Sequence, residues 1–324
     1  MLKAAQVGLG VMGNGHFFAH RGSKDSTLEA VCDVRYDFAK EKLTNFQSET
    51  PLFDNMEEMI EKIRPDFVDI VTPTYTHADL AIKAMEMGCD VLCEKPMALF
   101  ADDCKRMMEA SERTGRRLMI AHVVRFMAPY MYLKSVTESE KFGKLLRLDM
   151  KRISSIPRAS CDNWMHDFDK AGGVVLDLSI HDIDFARYLF GDPKDFSALY
   201  YTMKDQTEYS SVDMFYDGFS VSAEAGWYNA WIPFTCGYTA LFERGMVSGA
   251  GDDVFENGNK IEISPDMPEL SIGTPTDSLD GYTREIQYFA SRLVGGDPFD
   301  AVTTDSSAGT VALCRKIIEG AKRI

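Results

Sequence analysis

The sequence predicts two successive folds. Residues 1–123 read as an α/β domain on a doubly wound parallel sheet (a Rossmann arrangement), and residues 124–324 as an α+β domain, an open antiparallel sheet with helices on one face. Three observations predict this. Short apolar runs alternate with single helical patterns through the first part of the chain, the rhythm of a parallel sheet. A glycine-rich turn follows the first of those runs. Near residue 123 the rhythm breaks, and strand-length segments then succeed one another with few helices between them.

In the first domain, the runs Lys3–Gly8, Leu28–Cys32, Phe67–Val71, Val91–Cys93 and Leu118–Ala121 are continuously apolar enough to be strands buried on both faces. Helical periodicity fills the gaps at Val11–Arg21, Tyr36–Phe46, Met56–Ile63, His77–Met87 and Asp102–Thr114. Asp54 and Thr76 are placed to cap helix starts, and Gly88 and Gly115 to stop helices. Beyond residue 123, a helix near Pro129–Ser139 leads to a strand at Leu145–Ser155, and a further helix at about Asp177–Phe190 closes at Gly191 and Pro193. Strands then follow at Phe196–Met203, Tyr209–Tyr216, Phe219–Trp227, Phe234–Phe242 and Gly245–Gly249. Tyr216-Asp217-Gly218-Phe219 reads as a tight hairpin. Gly251–Asp280, rich in Asp, Gly, Pro and Ser, reads as a long loop, and helices at Gly281–Val294 and Asp305–Lys322 end the chain.

The 324 residues, 45% of them apolar, are enough to fill two cores. A net charge of −15 argues against nucleic acid or an anionic membrane surface as partner. Seven cysteines, odd in number and scattered through apolar stretches, suit a reducing compartment better than a disulfide framework. Cys89 and Cys93 lack the second pair that a zinc site needs, so no metal is expected. The segment after Lys3 is broken by glycines and reads as a strand entering a turn, not as a signal peptide, and the expected location is the cytoplasm.

Gly8-Leu9-Gly10-Val11-Met12-Gly13 satisfies G-x-G-x-x-G after a strand and before a helix, with Asp33 twenty positions beyond the last glycine. The glycines suit a tight turn, close approach of backbone to a pyrophosphate and close helix–strand packing, with the phosphates at the helix N-terminus. Asp33 ends the second strand, where a carboxylate accepts from ribose hydroxyls and repels a 2′-phosphate, so NAD is expected in preference to NADP. Arg35 keeps NADP open, since it suits either adenine stacking or a 2′-phosphate. Glu94-Lys95-Pro96 ends another strand, at the edge where ligands of such sheets bind.

Together with these motifs, Gly172-Gly173-Val174-Val175-Leu176-Asp177-Leu178-Ser179-Ile180-His181-Asp182-Ile183-Asp184 and Tyr282-Thr283-Arg284-Glu285-Ile286 fall in an order that resembles the glucose–fructose oxidoreductase, inositol dehydrogenase and rhizopine catabolism protein (Gfo/Idh/MocA) family. The resemblance implies an N-terminal Rossmann domain, a C-terminal sheet that often mediates homodimers or homotetramers, and hydride transfer between a nicotinamide and a sugar, glycoside or cyclitol. It also implies two departures within the superfamily: glycosidases that use NAD transiently for oxidation and elimination, and regulators that bind the dinucleotide without turnover. The survival of Lys95, Asp177 and His181 here disfavours the regulator.

Asp177 and His181 are four apart on one predicted helix and so share a face. His181 is the natural base for an alcohol proton, because its ordinary pKa lies near neutrality. By the resemblance, Lys95 donates to the reacting oxygen and Asp177 binds substrate or orients the reacting groups. Thr72-Pro73-Thr74, His77 and Glu94 are then expected along the cofactor. Arg125 is expected either to reach a substrate hydroxyl or to form a structural ion pair, and Arg158 and Trp164 are candidates for polyol contact. His16 and His20, four apart but without an evident acidic partner, are read as surface or packing residues, and His166 with Trp227, Tyr228 and Trp231 as loop and interface residues. Tyr200, Tyr201, Phe215 and Trp227 are expected to expose an apolar sheet face.

Overall fold

The computed structural model describes residues 1–158, 160–271 and 277–324. Six parallel strands form the first sheet: β1 (Leu2–Val7), β2 (Ser26–Cys32), β3 (Leu52–Phe53), β4 (Phe67–Ile70), β5 (Asp90–Glu94) and β6 (Leu118–Ala121). Helices α1 (Val11–Ala19), α2 (Tyr36–Asn45), α3 (Met56–Ile63), α4 (His77–Glu86) and α5 (Ala101–Thr114) connect them. The spatial order is β3-β2-β1-β4-β5-β6, so strand order reverses between β1 and β4. Their carboxyl ends open the crevice where such sheets bind ligands.

Burial explains why these runs become strands. All four residues of β4 and of β6 are buried, as strands covered on both faces require. Two polar residues break the pattern: Gln6 on β1 and Asp69 on β4 are fully buried and register directly opposite each other. The cap of α3 is Asn55, which accepts the Glu58 N–H, and not Asp54. Thr76 precedes α4 without capping it; its hydroxyl donates to the Pro73 carbonyl instead. Gly115 ends α5 at φ +66°, as expected of a left-handed stop.

Among the described residues the second sheet has nine strands: β7 (Leu145–Ser155), β8 (Asp195–Thr202), β9 (Glu208–Phe215), β10 (Ser220–Tyr228), β11 (Thr235–Phe242), β12 (Gly245–Ala250), β13 (Asp253–Glu256), β14 (Asn259–Ile261) and β15 (Lys322–Arg323). Their order is β14-β13-β12-β11-β7-β10-β9-β8-β15. The sheet is mixed, not purely antiparallel, because β10 lies parallel to β7 and β15 parallel to β8. The chain between β7 and β10 contains a helical crossover, the kind of connection that allows parallel pairing. Along β10, Val221, Ala223, Ala225 and Trp227 are buried in alternation with Ser222 and Glu224, giving one covered face. Trp227 and Tyr200 therefore point inward, against expectation, while Phe215 and, on the loop after β10, Trp231 are exposed. The predicted loop Gly251–Asp280 contains β13 and β14; its residues 272–276 lie outside the described residues.

Helices α6 (Ala128–Glu138), the short α7 (Phe168–Ala171) and α8 (Ile180–Phe190) accompany the second sheet, and α9 (Gly281–Gly295) and α10 (Thr304–Gly320) close the chain. A π-helical turn, Val175–Ser179, runs directly into α8. Two compact units result: Met1–Val123 with the described part of Ile272–Ala308, and Val124–Ser271 with Gly309–Ile324. The expected second domain is thus interrupted. α9 packs with the first unit, where Phe289 meets Phe67 edge to face at 5.1 Å between ring centroids. No described helix is long and apolar enough to cross a membrane.

Candidate functional site

The glycine-rich turn is set by three different demands on its glycines. Gly8 adopts φ +98°, and a Cβ there would lie 2.2 Å from the Val71 carbonyl oxygen. Gly13 packs so closely that its Cβ would fall 2.4 Å from the Gly8 carbonyl oxygen. A Cβ on Gly10, the N-cap of α1, would meet nothing within 4 Å. Gly10 therefore borders an open cradle. The start of α1 has neither a capping side chain nor an acidic residue, so its first N–H groups are left for an anion.

Side chains from neighbouring elements fix that turn. Gln6 Nε2 donates to the carbonyls of Gly8 and Gly13 at 2.7 and 2.9 Å. Lys42 Nζ on α2 donates to the Leu9 and Gly10 carbonyls and to Asn14 Oδ1, at 2.9, 3.1 and 2.9 Å. In a trans peptide the N–H opposes the carbonyl, so the N–H groups of Gly10 and Val11 point away from Lys42. The side chains of Val11 and Met12 are exposed, leaving the backbone as what these two residues offer a ligand. Asp33 is buried, with Oδ2 accepting the Leu9 N–H at 2.9 Å and Oδ1 accepting the Arg35 N–H at 2.9 Å. The Arg35 guanidinium folds back onto both Asp33 oxygens at 3.3 Å and lies over Phe38.

The ends of β4 and β5 join the same locus. The turn rests on Val71, and Thr72-Pro73-Thr74 follows at once, with Thr72 Oγ1 2.7 Å from Thr76 Oγ1. His77 is buried with its two ring nitrogens 2.9 Å from the Pro96 and Thr72 carbonyl oxygens, so it ties this loop to the Lys95-Pro96 segment. Burial holds His77 below its usual pKa, outweighing the two carbonyls that favour the charged ring. The Lys95-Pro96 peptide is cis. Glu94 is also buried: Oε2 accepts the Lys95 N–H at 2.9 Å, and Oε1 lies 3.0 Å from His16 Nε2. His77 and Glu94, expected along the cofactor, both make these hydrogen bonds within the unit.

His16 and His20 correct a second expectation, since both are buried in an ionic network. His16 Nδ1 is 2.9 Å and His20 Nε2 3.0 Å from Asp69 Oδ2. Burial works to lower the His16 pKa, but Asp69 and Glu94 overcome it and hold the ring well above its usual value. Burial likewise opposes ionisation of Asp69 and Glu94, and the histidines overcome it, so both carboxyls titrate below their ordinary range. The signal available in the sequence was Asp69 itself, an acid in an otherwise apolar strand.

In the second unit, Asp177 lies on the π-helical turn and His181 near the start of α8. Both are partly exposed, whereas Leu176, Leu178, Ile180 and Asp182 around them are buried. Gly172 and Gly173 lead in at φ +74° and +70°, and Glu208 accepts the Val174 N–H at 2.8 Å, anchoring the helix entry. Two inward acids fasten α8 itself. Asp182 pairs with buried Arg152 at 3.0 Å, and Asp184 takes a bidentate pair from Arg125 at 2.8 and 2.6 Å. Arg125, expected to bind substrate or to form an ion pair, is buried at 4% exposure and committed to Asp184. Arg158 is exposed and donates to Asn229 at 2.6 Å. With Asn163, His166 and Gln206 it lines a polar surface cavity of about 320 Å³, and half-buried Trp164 sits on the same loop.

A model of the oxidoreductase family with an NAD-binding Rossmann fold matches residues 2–122, and the GFO/IDH/MocA C-terminal domain model matches residues 130–247. The chain is 30% identical over 193 residues to myo-inositol 2-dehydrogenase of Thermotoga maritima, and 26% identical over 196 residues to D-glucoside 3-dehydrogenase of Escherichia coli K12. Each alignment takes in 59% of this chain and 55% of the relative, so the chain spans about half the length of the curated relatives it matches. Its fold is similar to that of myo-inositol 2-dehydrogenase from Lactobacillus plantarum, with a TM-score of 0.79 and 23% identity over 98% of this chain and 96% of that one.

Proposed function

This chain belongs to the GFO/IDH/MocA oxidoreductase family, and we propose that it transfers a hydride between a nicotinamide dinucleotide and a secondary alcohol of a sugar, glycoside or cyclitol. The observation that carries this reading is the linkage, within one unit, of the open Gly10 cradle, the Thr72 loop and the Lys95-Pro96 segment at the carboxyl ends of β1, β4 and β5. The residues present fit a dinucleotide: an uncapped helix start for phosphate and an acid at the end of β2 for ribose. NAD is preferred in this proposal, because Arg35 is turned back onto Asp33 and the carboxylate stands where a 2′-phosphate would be repelled.

Bound there, the nicotinamide supplies the hydride acceptor for alcohol oxidation and the donor for the reverse. His181 takes the hydroxyl proton, and Asp177, on the same partly exposed helix face, orients the imidazole or the substrate. Lys95 donates to the reacting oxygen and offsets the charge that develops on it. Arg158 and Trp164 contact the remainder of the polyol, and the exposed Trp231, Phe234 and Phe215 support a homodimer or homotetramer. Seven free cysteines support a cytoplasmic location.

The test is NADH formation by the purified protein with NAD or NADP and a panel of inositols, sugars and glycosides. Net NADH with a polyol is the expected result, at higher efficiency than NADPH. Glycoside cleavage without net NADH would replace this reading with internal-redox hydrolysis, and tight NAD binding with neither product would replace it with a regulator.

A further inference from the structure

One cluster of buried titratable groups takes no part in these roles. His16 is completely shielded, and its two ring nitrogens lie 2.9 and 3.0 Å from Asp69 Oδ2 and Glu94 Oε1. An ionised carboxylate only accepts hydrogen bonds, so an imidazolium, protonated on both nitrogens, is the form of His16 that satisfies both acids at once. The groups facing it are Asp69 from β4, Glu94 from β5, the Tyr282 ring at 5.5 Å from α9 and, through Asp69, His20. Lys95 acts on Glu94 from beyond this shell, its charge favouring the ionised form, and buried His77 lies beyond it.

Glu94 carries the cluster to the residue assigned to the reacting oxygen. One of its oxygens takes His16 and the other takes the Lys95 N–H at 2.9 Å. Without the imidazolium, Asp69 and Glu94 would be two carboxylates buried together, an arrangement that drives one of them to take a proton or to swing away. Either change at Glu94 alters the acceptor that holds the Lys95 backbone.

We propose that His16 is a positioning residue for Lys95: gripped between Asp69 and Glu94, its imidazolium locks the Glu94 carboxylate, which in turn holds the Lys95 backbone at the carboxyl end of β5. The effect on turnover rests on the hydride-transfer reading; the ring's charge and the backbone restraint do not, so the two fail separately.

The experiment compares the full-length wild type with H16Q and E94Q. Nitrogen NMR of the wild-type imidazole at pH 7.5 is expected to show both His16 nitrogens protonated. In H16Q, amide exchange at Lys95 is expected to rise at least tenfold while Val91 to Cys93 stay protected, and kcat to fall at least tenfold with KM for NAD within threefold. E94Q, which keeps an uncharged partner in the same shape, is expected to fold and to lower the pH at which the His16 ring loses its second proton, with Asp69 still holding Nδ1. A neutral His16 in the wild type, a His16 titration that ignores E94Q, or a Lys95 amide unmoved in a folded H16Q would each overturn the proposal. If H16Q does not fold, the E94Q spectrum decides. If the wild type oxidises no alcohol, the hydride-transfer reading falls, and the NMR and exchange results still decide the role of His16.

Discussion

Gly10 and Gly13 stand three residues apart and fail in different ways when a methyl group is added. At Gly13 the new Cβ would press on the Gly8 carbonyl at 2.4 Å, a backbone atom that cannot rotate aside. Gly13→Ala is therefore expected to cost about 2 kcal/mol or more of stability, read as a lowered urea midpoint. Gly10→Ala meets nothing within 4 Å and sits at φ −70°, so the melting temperature should barely change. Its methyl group would instead occupy the cradle, and NAD affinity by titration should weaken about tenfold, or about 1.4 kcal/mol. Lys95→Ala makes a third contrast: it should lower kcat at least a hundredfold with NAD affinity largely kept, and a parallel loss of NAD binding would remove Lys95 from the chemistry. The buried network adds a pH signature. His16 has a folded pKa above its ordinary 6.5, so its stabilisation is complete below that pH and drains away as pH rises through the raised value. Asp69 and Glu94, with folded pKa values below 3.8 and 4.5, stabilise above those values and lose the effect as pH falls. His77, depressed below 6.5, contributes above that pH and loses its share on acidification. Thermal stability of the wild type should thus decline from neutral toward alkaline pH, and H16Q should flatten that decline.

Helix α8 shows how the face proposed to carry the chemistry is held in place from its other side. Asp177 and His181 are left partly exposed while Asp182 and Asp184, on the inward side, grip Arg152 and Arg125. Arg125→Ala would take from buried Asp184 its bidentate cationic partner, while the Thr310 hydroxyl still donates to it and Arg187 stands one step removed through Thr310. That loss is expected to cost about 3–5 kcal/mol, seen as a large drop in urea midpoint with kcat of the remaining folded enzyme within threefold of wild type. A substrate-binding arginine would give the reverse, a raised KM with stability unchanged. The sequence revealed α8 and its Asp177–His181 spacing because helical periodicity is local. It did not reveal where Arg125 points, since Asp184 lies 59 residues away. The same distance problem hid His16, whose acids are 53 and 78 residues off. The buried strand β6 was legible as an unbroken apolar run and β4 as a run interrupted by Asp69, whereas β3 and β15 are only two residues long and leave no period to read. β13 and β14 did leave a signal: Asn257-Gly258, at φ +49° and +83°, are the residues a tight primed turn demands. Leu145–Ser155 and Phe219–Trp227 were legible as strands, but a strand-length segment carries no information about direction, so the parallel pairing of β7 and β10 was not legible.

At the scale of the whole molecule, the chain order and the folding units do not coincide. Residues 1–123 contain every strand of the first sheet, yet α9 completes that unit from more than 150 residues downstream. Ile286, Tyr288, Phe289 and Ala290 of α9 are all at 0% exposure, and Gln287 ties the helix to the Lys24 N–H and to Asp25. Burying three large side chains contributes about 1.5–3 kcal/mol each, or roughly 5–9 kcal/mol in all. A domain of this size has about 5–15 kcal/mol of net stability, so losing the helix removes much or all of it. Residues 1–123 expressed alone would also expose Phe67, which is fully buried against Phe289 in the intact chain. That fragment is expected to lack a cooperative thermal transition and to bind NAD poorly. Appending residues 277–303 through a flexible linker should restore both, because α9 supplies the missing surface. If the short fragment melts cooperatively and binds NAD as the full chain does, α9 is an accessory to the dinucleotide unit and its burial contributes far less than its area implies.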